Sequence, residues 1–298
     1  MDLDTLLVFA VVAREGSFTR AAAVLGVSQP SISERMHRLE QRLGTPAFVR
    51  LGRGVGLTAA GLALRALADQ AHTLARETDE FVTGLAGLDR GLIRGAASTT
   101  IAGYVLPMAI ARLHAKHPGV ELDIAVGNTR EMAELVERGD VGWALIEGPV
   151  EESRLTVRWF RDDELILIVA ASHPWARRRQ PIAPADLAAE PFIARELGSG
   201  TGAVFDAALA GVGLQLTPRM RIADSGAIAR AVAAGAGVAI ISKLVAAPLL
   251  ASGRLARVEI AKIWLERPLS LVHLPGRTLA PLDQVLLRLI MRPADSRR

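Results

Sequence analysis

Residues 18–43 read FTRAAAVLGVSQPSISERMHRLEQRL. Ala21, Ala22 and Leu25 recur at helical spacing, and Gly26 stops the pattern because glycine enters the left-handed turn conformation without cost. Ser28 is a helix-capping residue and Pro30 fits a first helical turn. Ile32, Met36, Leu39 and Leu43 then line the dry face of a second helix. Two helices around a glycine turn make a helix-turn-helix. The small Ala22 allows close approach, and Val27 and Ile32 are expected to wedge between the helices. Upstream, Leu3, Leu6, Leu7, Ala10 and Val11 form a third helical stripe that ends at Gly16 and Ser17.

With Ile32 inward, the helical period turns Pro30, Ser33, Glu34, His37 and Gln41 outward, with Arg38 beside them. Gln29 and Ser31 lie at the helix start. In this motif the second helix enters the major groove by its N-terminal end. Glutamine suits adenine, a hydroxyl suits either base pair, and Glu34 could accept from a cytosine amino group or simply point away from DNA. Ser28 at the cap and Arg35 and Arg38 on the flanks are expected backbone contacts. Next, Phe48–Val49 and Val55–Leu57 read as two short strands around LGRGVG, a wing whose Arg50 and Arg53 would reach phosphates. A plain helical bundle with a solvated face is the alternative. The glycine turn, the capped second helix and the arginine-flanked hairpin together favour DNA.

Thr58 is placed to cap a helix running to about Asp89. Leu67, Leu74, Phe81 and Leu88 repeat every seven residues, and Leu64, Ala71, Thr78 and Leu85 form a parallel series three residues earlier. These are the two core positions of a heptad, and they predict a dimer seam with the same helix of a second copy. A dimer would carry two reading helices onto a site of two-fold symmetry.

The 298 residues are half hydrophobic and 22% charged, enough for two or three packed domains. The chain has no cysteine, which excludes disulfides, thiolate metal sites and a cysteine nucleophile. Acidic residues occupy the start where an export signal would be basic, and no apolar run is long enough to cross a bilayer, so a cytoplasmic protein without a membrane partner is expected. His114 and His117 lack a third ligand, and no hydrolase, phosphate-loop or dinucleotide motif occurs; neither an enzyme nor a metal or other cofactor is expected. Asp162, Asp163 and Glu164 read as a solvated acidic run.

From Gly91 onward, LIRGAAST, VELDIAVG, VGWALIEG, ELILIVAAS and PFIARE read as strands alternating with helices, an α/β domain with a largely parallel sheet. Three stretches stand at strand ends before helices: Ser98–Thr100, Asn128–Thr129 and Ser199–Gly202, the last including Gly200 and Thr201. Their hydroxyls and free amides suit a small anion. Ordinary capping is the alternative for each. Glu147 ends a strand at the same cleft and would repel an anion unless paired; binding a cationic group or a neighbouring loop is its other reading.

Residues 18–50 followed by LTAAG resemble the signature of the LysR-type transcriptional regulators, and the remaining chain agrees in length and order. The departure is Ala47, where that family commonly has leucine. The resemblance implies a winged helix-turn-helix over 1–58, a dimerisation helix over 59–90, and an effector-binding domain over 91–298 with the two lobes of a periplasmic binding protein. Lobe I would hold 91–161 and 268–298, and lobe II 162–267. It also implies that Gln29, Pro30 and Ser33 meet base edges and that Ser31, Arg35 and Arg53 meet the backbone. Within the family, ASTTIAGYVLP, VGNTREM and LIEGPVE look most like regulators of sulfur assimilation and carbon dioxide fixation, whose effectors are small anions, phosphorylated metabolites or nucleotides. A homo-oligomeric regulator of an inverted-repeat operator is therefore expected, with RNA polymerase as a further partner. The alternative is a solute-binding or enzymatic α/β module with a helical assembly head.

Overall fold

The structure is a computed structural model and describes residues 2–85, 90–150 and 154–291. Two compact units emerge, Met1–Thr83 and Gly84–Arg298.

In the first unit α1 spans Leu3–Glu15, α2 Phe18–Leu25 and α3 Gln29–Leu43. Each start and stop has a local cause. Asp2, Ser17 and Ser28 accept from the first-turn amides of the three helices. Each helix ends on a left-handed glycine, and Gly26 (φ 66°) makes the tight turn from α2 to α3. The short strands β1 (Phe48–Arg50) and β2 (Val55–Leu57) pair antiparallel, Phe48 opposite Leu57. Ile32, Met36 and Leu39 are buried against Phe9, Val12 and Ala21 as their spacing requires. Phe48 seals this core against Phe9 and Phe18, with ring centroids 5.2 and 5.3 Å apart. Val27 is exposed and does not wedge between helices; the turn carries its side chain outward.

The long α4 covers Ala59–Leu85, and Thr58 accepts from the Gly61 amide at its start. The expected seam is partly corrected. Leu64 and Ala68 are buried in the core of the winged domain, so Leu64 serves that core rather than a partner. Leu67 and Leu74 stand about 60% exposed, Thr78 is exposed and Ala71 half-buried. The side chains of Phe81 and Leu85, and all of Leu88, lie outside the described residues.

The second unit opens with β3 (Arg90–Ser98), α5 (Thr99–Tyr104), α6 (Leu106–Lys116), β4 (Gly119–Gly127), α7 (Thr129–Glu137) and β5 (Ala144–Glu147). Then comes the long β6 (Thr156–Ala170), followed by β7 (Ile193–Ala194), α8 (Gly200–Gly211), β8 (Met220–Arg221) and α9 (Ser225–Ala233). The chain closes with β9 (Ala239–Ser242), α10 (Lys243–Ala251), β10 (Leu255–Val258), β11 (Glu266–His273) and α11 (Pro281–Met291). Sheet order is β10-β6-β11-β5-β3-β4, with β9 also on β6. Only β3 with β4 and β3 with β5 pair parallel in this sheet; β6 and β11 pair antiparallel with their neighbours. The sheet is mixed rather than largely parallel, because β6 and β11 carry the chain out of one lobe and back.

Two groups of cores lie along those shared strands. Ile93, Leu113, Trp143, Leu145, Leu271 and Leu286 centre lobe I, and Leu167, Phe192, Phe205 and Ile240 centre lobe II. The crossing falls where Asp163 of β6 sits opposite Arg267 of β11.

Candidate functional site: a DNA-facing helix and an arginine-centred cleft

On α3 the expected base-reading side chains stand on one accessible face. Ser28, Gln29, Pro30 and Glu34 are exposed, and Ser31 and Ser33 half-buried. Gln29 Nε2 donates to Ser33 Oγ at 2.7 Å, which orients both along the groove-facing end of the helix. Glu34 pairs with Arg38 one turn on, and that hydrogen-bonded guanidinium holds the Glu34 carboxyl below its usual value. Arg35 pairs with Asp4 of α1. Either pair must open, or share its arginine, before these guanidiniums serve a phosphate. Arg50 and Arg53 on the wing are exposed and have no carboxylate partner among the described residues.

The second unit builds a cleft at the crossing of β6 and β11. Its centre is the Arg267 guanidinium, 1% exposed. Arg267 donates to Asp163 Oδ2 through Nε (2.9 Å) and Nη2 (2.7 Å), and Nη2 also touches a carboxylate oxygen of Glu147. Nη1 donates to Thr201 Oγ1 at 2.7 Å and Nη2 to Thr100 Oγ1 at 3.2 Å. One guanidinium thus joins a lobe I hydroxyl, a lobe II hydroxyl and two carboxylates. Ser242 donates to the other Asp163 oxygen at 2.8 Å. Burial raises the Asp163 pKa against the lowering by Arg267 and Ser242, and the neighbouring Glu147 raises it further. The acidic run is therefore not uniformly solvated: Asp162 is exposed, Asp163 is buried, and Glu164 pairs with Lys243 and Arg257.

A second buried guanidinium lies nearby. Arg195, at the end of β7, forks onto Glu196 (2.7 and 2.9 Å), reaches Ser225 at the start of α9, and donates to Thr99 Oγ1 of lobe I at 3.3 Å. Neither Arg195 nor Arg267 was among the residues expected from sequence.

The lobes meet closely at the first turn of α8. A side chain on Gly200 would lie 1.7 Å from the Glu147 carbonyl oxygen, so only glycine permits this approach. Beside it the Arg130 amide donates to the Gly198 carbonyl at 3.2 Å. A cavity of about 730 Å³ opens there, lined by Thr129, Arg130, Ser199, Gly200 and Gly202 but also by Glu134, Glu137 and Glu196.

The three hydroxyl stretches now separate. Asn128 caps α7 reciprocally with Glu131, and Thr129 ties its hydroxyl to the Glu147 carbonyl at 2.7 Å. Both have structural partners at the cleft, the capping role that was their other reading. Glu147 accepts from the Thr100 amide at 3.1 Å and also meets the Arg267 guanidinium, so its carboxylate is paired. Ser98 differs. It starts α5 yet makes no capping bond, and its buried Oγ has no hydrogen-bond partner among the described residues. Ser199 likewise makes no capping bond.

Known proteins resemble this chain along most of its length. Residues 3–62 match the family described as bacterial regulatory helix-turn-helix protein, lysR family, and residues 86–293 match LysR substrate binding domain. The chain is 30% identical to a RuBisCO operon transcriptional regulator of Acidithiobacillus ferrooxidans, over 94% of this chain and 90% of the relative. It is 32% identical to the HTH-type transcriptional regulator CysL of Bacillus subtilis, over 92% of each. A full-length OxyR variant of Pseudomonas aeruginosa superposes with a TM-score of 0.73 at 22% identity, covering 97% of this chain and 94% of that one, a likeness of fold. The subgroup resemblance read from the sequence is met by these relatives, and the enzymatic alternative falls away with them. Among the described residues no helix is long and apolar enough to cross a membrane.

Proposed function

We propose, for a chain that belongs to the LysR family of transcriptional regulators, that it acts in the cytoplasm as a homo-oligomer on an inverted-repeat operator and senses a small anion between its lobes. Residues 1–58 read the DNA, 59–90 join two copies, and 91–298 bind the effector. Gln29, Pro30 and Ser33 meet base edges; Ser28, Ser31, Arg35, Arg38, Arg50 and Arg53 meet the backbone. Glu34, ionised beside Arg38, is an acceptor for a cytosine amino group. RNA polymerase is the partner through which the bound regulator acts on transcription.

The observation that carries the anion reading is the unpartnered buried hydroxyl of Ser98. It precedes Thr99 and Thr100, which accept from the two buried guanidiniums. An unsatisfied buried hydroxyl costs about 1–3 kcal/mol, and a ligand acceptor would relieve it. Ser98, Thr99, Thr100, Ser199, Gly200, Thr201 and Gly202 then supply hydroxyls and amides, held in place by the carboxylate-paired guanidiniums of Arg195 and Arg267. The effector shifts the lobe arrangement only by its differential affinity for two states.

Thermal unfolding against sulfate, thiosulfate, phosphorylated acids and neutral analogues tests this. An anion at about a hundred times its Kd adds about 2.7 kcal/mol to stability, and Thr100→Ala with Thr201→Ala should abolish the effect. No stabilising anion, or stabilisation that survives the double substitution, overturns the reading.

A further inference from the structure

Lobe II holds a second cavity, of about 540 Å³, between α8 and the β7–β8 pair. Its walls include the buried Phe192, Phe205, Leu209 and Ile240, with Phe192 and Phe205 stacked 5.1 Å apart. Leu214 and Leu216, half-buried in the loop after α8, close the far side. Arg221 lines one wall. Its Nη1 donates to the Arg195 carbonyl at 3.0 Å, and it has no carboxylate partner among the described residues. Arg195 also lines the cavity, but Glu196 already answers its charge. Asp206 is the one carboxylate on the wall.

We propose that this trough is a second ligand site, for an organic monocarboxylate with an apolar body. The volume matches small-ligand pockets, and the mostly apolar lining with a few polar groups is their usual composition. One uncommitted guanidinium suits one carboxylate, since fork-like pairing makes arginine the natural receptor for that group. Asp206 opposes a second negative charge. The apolar walls exclude a bare inorganic anion, which would lose its hydration against Phe192, Phe205 and Leu209.

The trough lies apart from the Ser98–Thr100 stretch, but it adjoins the cleft: Arg195, Thr201 and Gly202 line it, and Gly202, Asp206 and Arg221 line the cleft cavity too. Thr201 lines the trough and also accepts from Arg267, while Gly200 of the same turn presses on Glu147. An occupant that displaces α8 therefore changes the contact between lobes, which couples the two ligands reciprocally.

The test is calorimetric titration of the full-length protein with octanoate, octan-1-ol and sulfate. Octanoate should bind saturably, one per chain, and octan-1-ol at least about tenfold more weakly. Ala210→Trp, which fills the trough from an exposed position of α8, and Arg221→Gln should each weaken octanoate by about tenfold or more. Ala210→Trp should leave sulfate binding as it is, and Thr100→Ala should leave octanoate binding as it is. Arg221→Gln, at an exposed position, decides the matter if Ala210→Trp does not fold. Absence of saturable octanoate binding overturns the proposal. So does equal binding of octan-1-ol, or octanoate binding lost in Thr100→Ala and kept in both trough variants. Failure of sulfate to bind bears on the cleft reading alone.

Discussion

Replacing Arg267 by Met keeps an apolar stem of similar bulk and removes the charge that organises the cleft. Two carboxylates, Asp163 at 4% and Glu147 at 2% exposure, would remain buried without their shared cation. Thr100 and Thr201 would lose the donor at 3.2 and 2.7 Å. Removing one partner of a buried ion pair costs about 3–5 kcal/mol, because the other is left uncompensated. For a domain of this size each kcal/mol lowers the midpoint by about 2–4 °C, so the effector-domain transition should fall by about 6–20 °C. Calorimetry on the full chain reads this directly. The pH dependence adds a second check. Burial already raises the Asp163 pKa, and without Arg267 nothing of that size lowers it, so the folded variant binds more protons at Asp163 than the unfolded chain does. Its stability then rises as pH falls from about 7 toward about 5, and the gap to wild type narrows. A loss below about 1 kcal/mol, or a gap indifferent to pH, would refute the account of Arg267 as the cation that makes this cleft tolerable.

Three further outcomes concern the first unit. Arg53→Ala should weaken binding to any DNA sequence and reduce the salt slope of log K by about 0.9, measured by anisotropy across a salt series; an unchanged slope removes Arg53 from the interface. Asp4→Asn frees Arg35 from its ion pair and should tighten DNA binding at low salt while leaving sequence preference intact, whereas unchanged or weaker affinity means the pair positions Arg35 rather than restrains it. Leu74→Glu places a charge on the exposed leucine face of α4 and should dissociate the oligomer in sedimentation, and a variant that stays oligomeric disposes of the seam.

The winged domain was legible because its signals are local. Ser17 and Ser28 cap within three residues, and Gly16, Gly26 and Gly44 stop helices where they stand. Leu64 was misplaced because heptad spacing alone does not say which neighbour takes a helix face; here the helix passes over its own domain first. The cleft was half legible. Hydroxyls at strand ends marked where the loops converge, but their partners are remote, Asp163 being 104 residues from Arg267. A period-two signal did exist. Leu265, Arg267 and Leu269 are buried while Glu266 and Pro268 are exposed, so the arginine stands in the inward row of its strand. Asp163 lies in the inward row of β6, between the exposed Asp162 and the partly exposed Glu164. The strand ELILIVAAS extended back to Asp163, together with a strand through 265–269, turns a solvated acidic run into a buried pair.

That pair also sets how an anion enters. Asp163, Glu147 and Arg267 carry two potential negative charges against one positive, and burial already raises the Asp163 pKa. An arriving anion adds a further negative charge beside Thr100 and Thr201. It is accommodated best when Asp163 is protonated, because the guanidinium is then less fully neutralised. Anion binding and proton uptake are thus linked with one sign: the anion raises the Asp163 pKa further, and acid tightens the anion. Titrating sulfate from about pH 8 to about pH 5 should show affinity rising as pH falls toward the Asp163 transition, with protons taken up on binding. In Asp163→Asn the charge is gone at every pH, so binding should match the acid limit of wild type and lose most of its pH dependence. Affinity that falls in acid, or a dependence preserved in Asp163→Asn, would place the titrating group elsewhere and detach Asp163 from effector recognition.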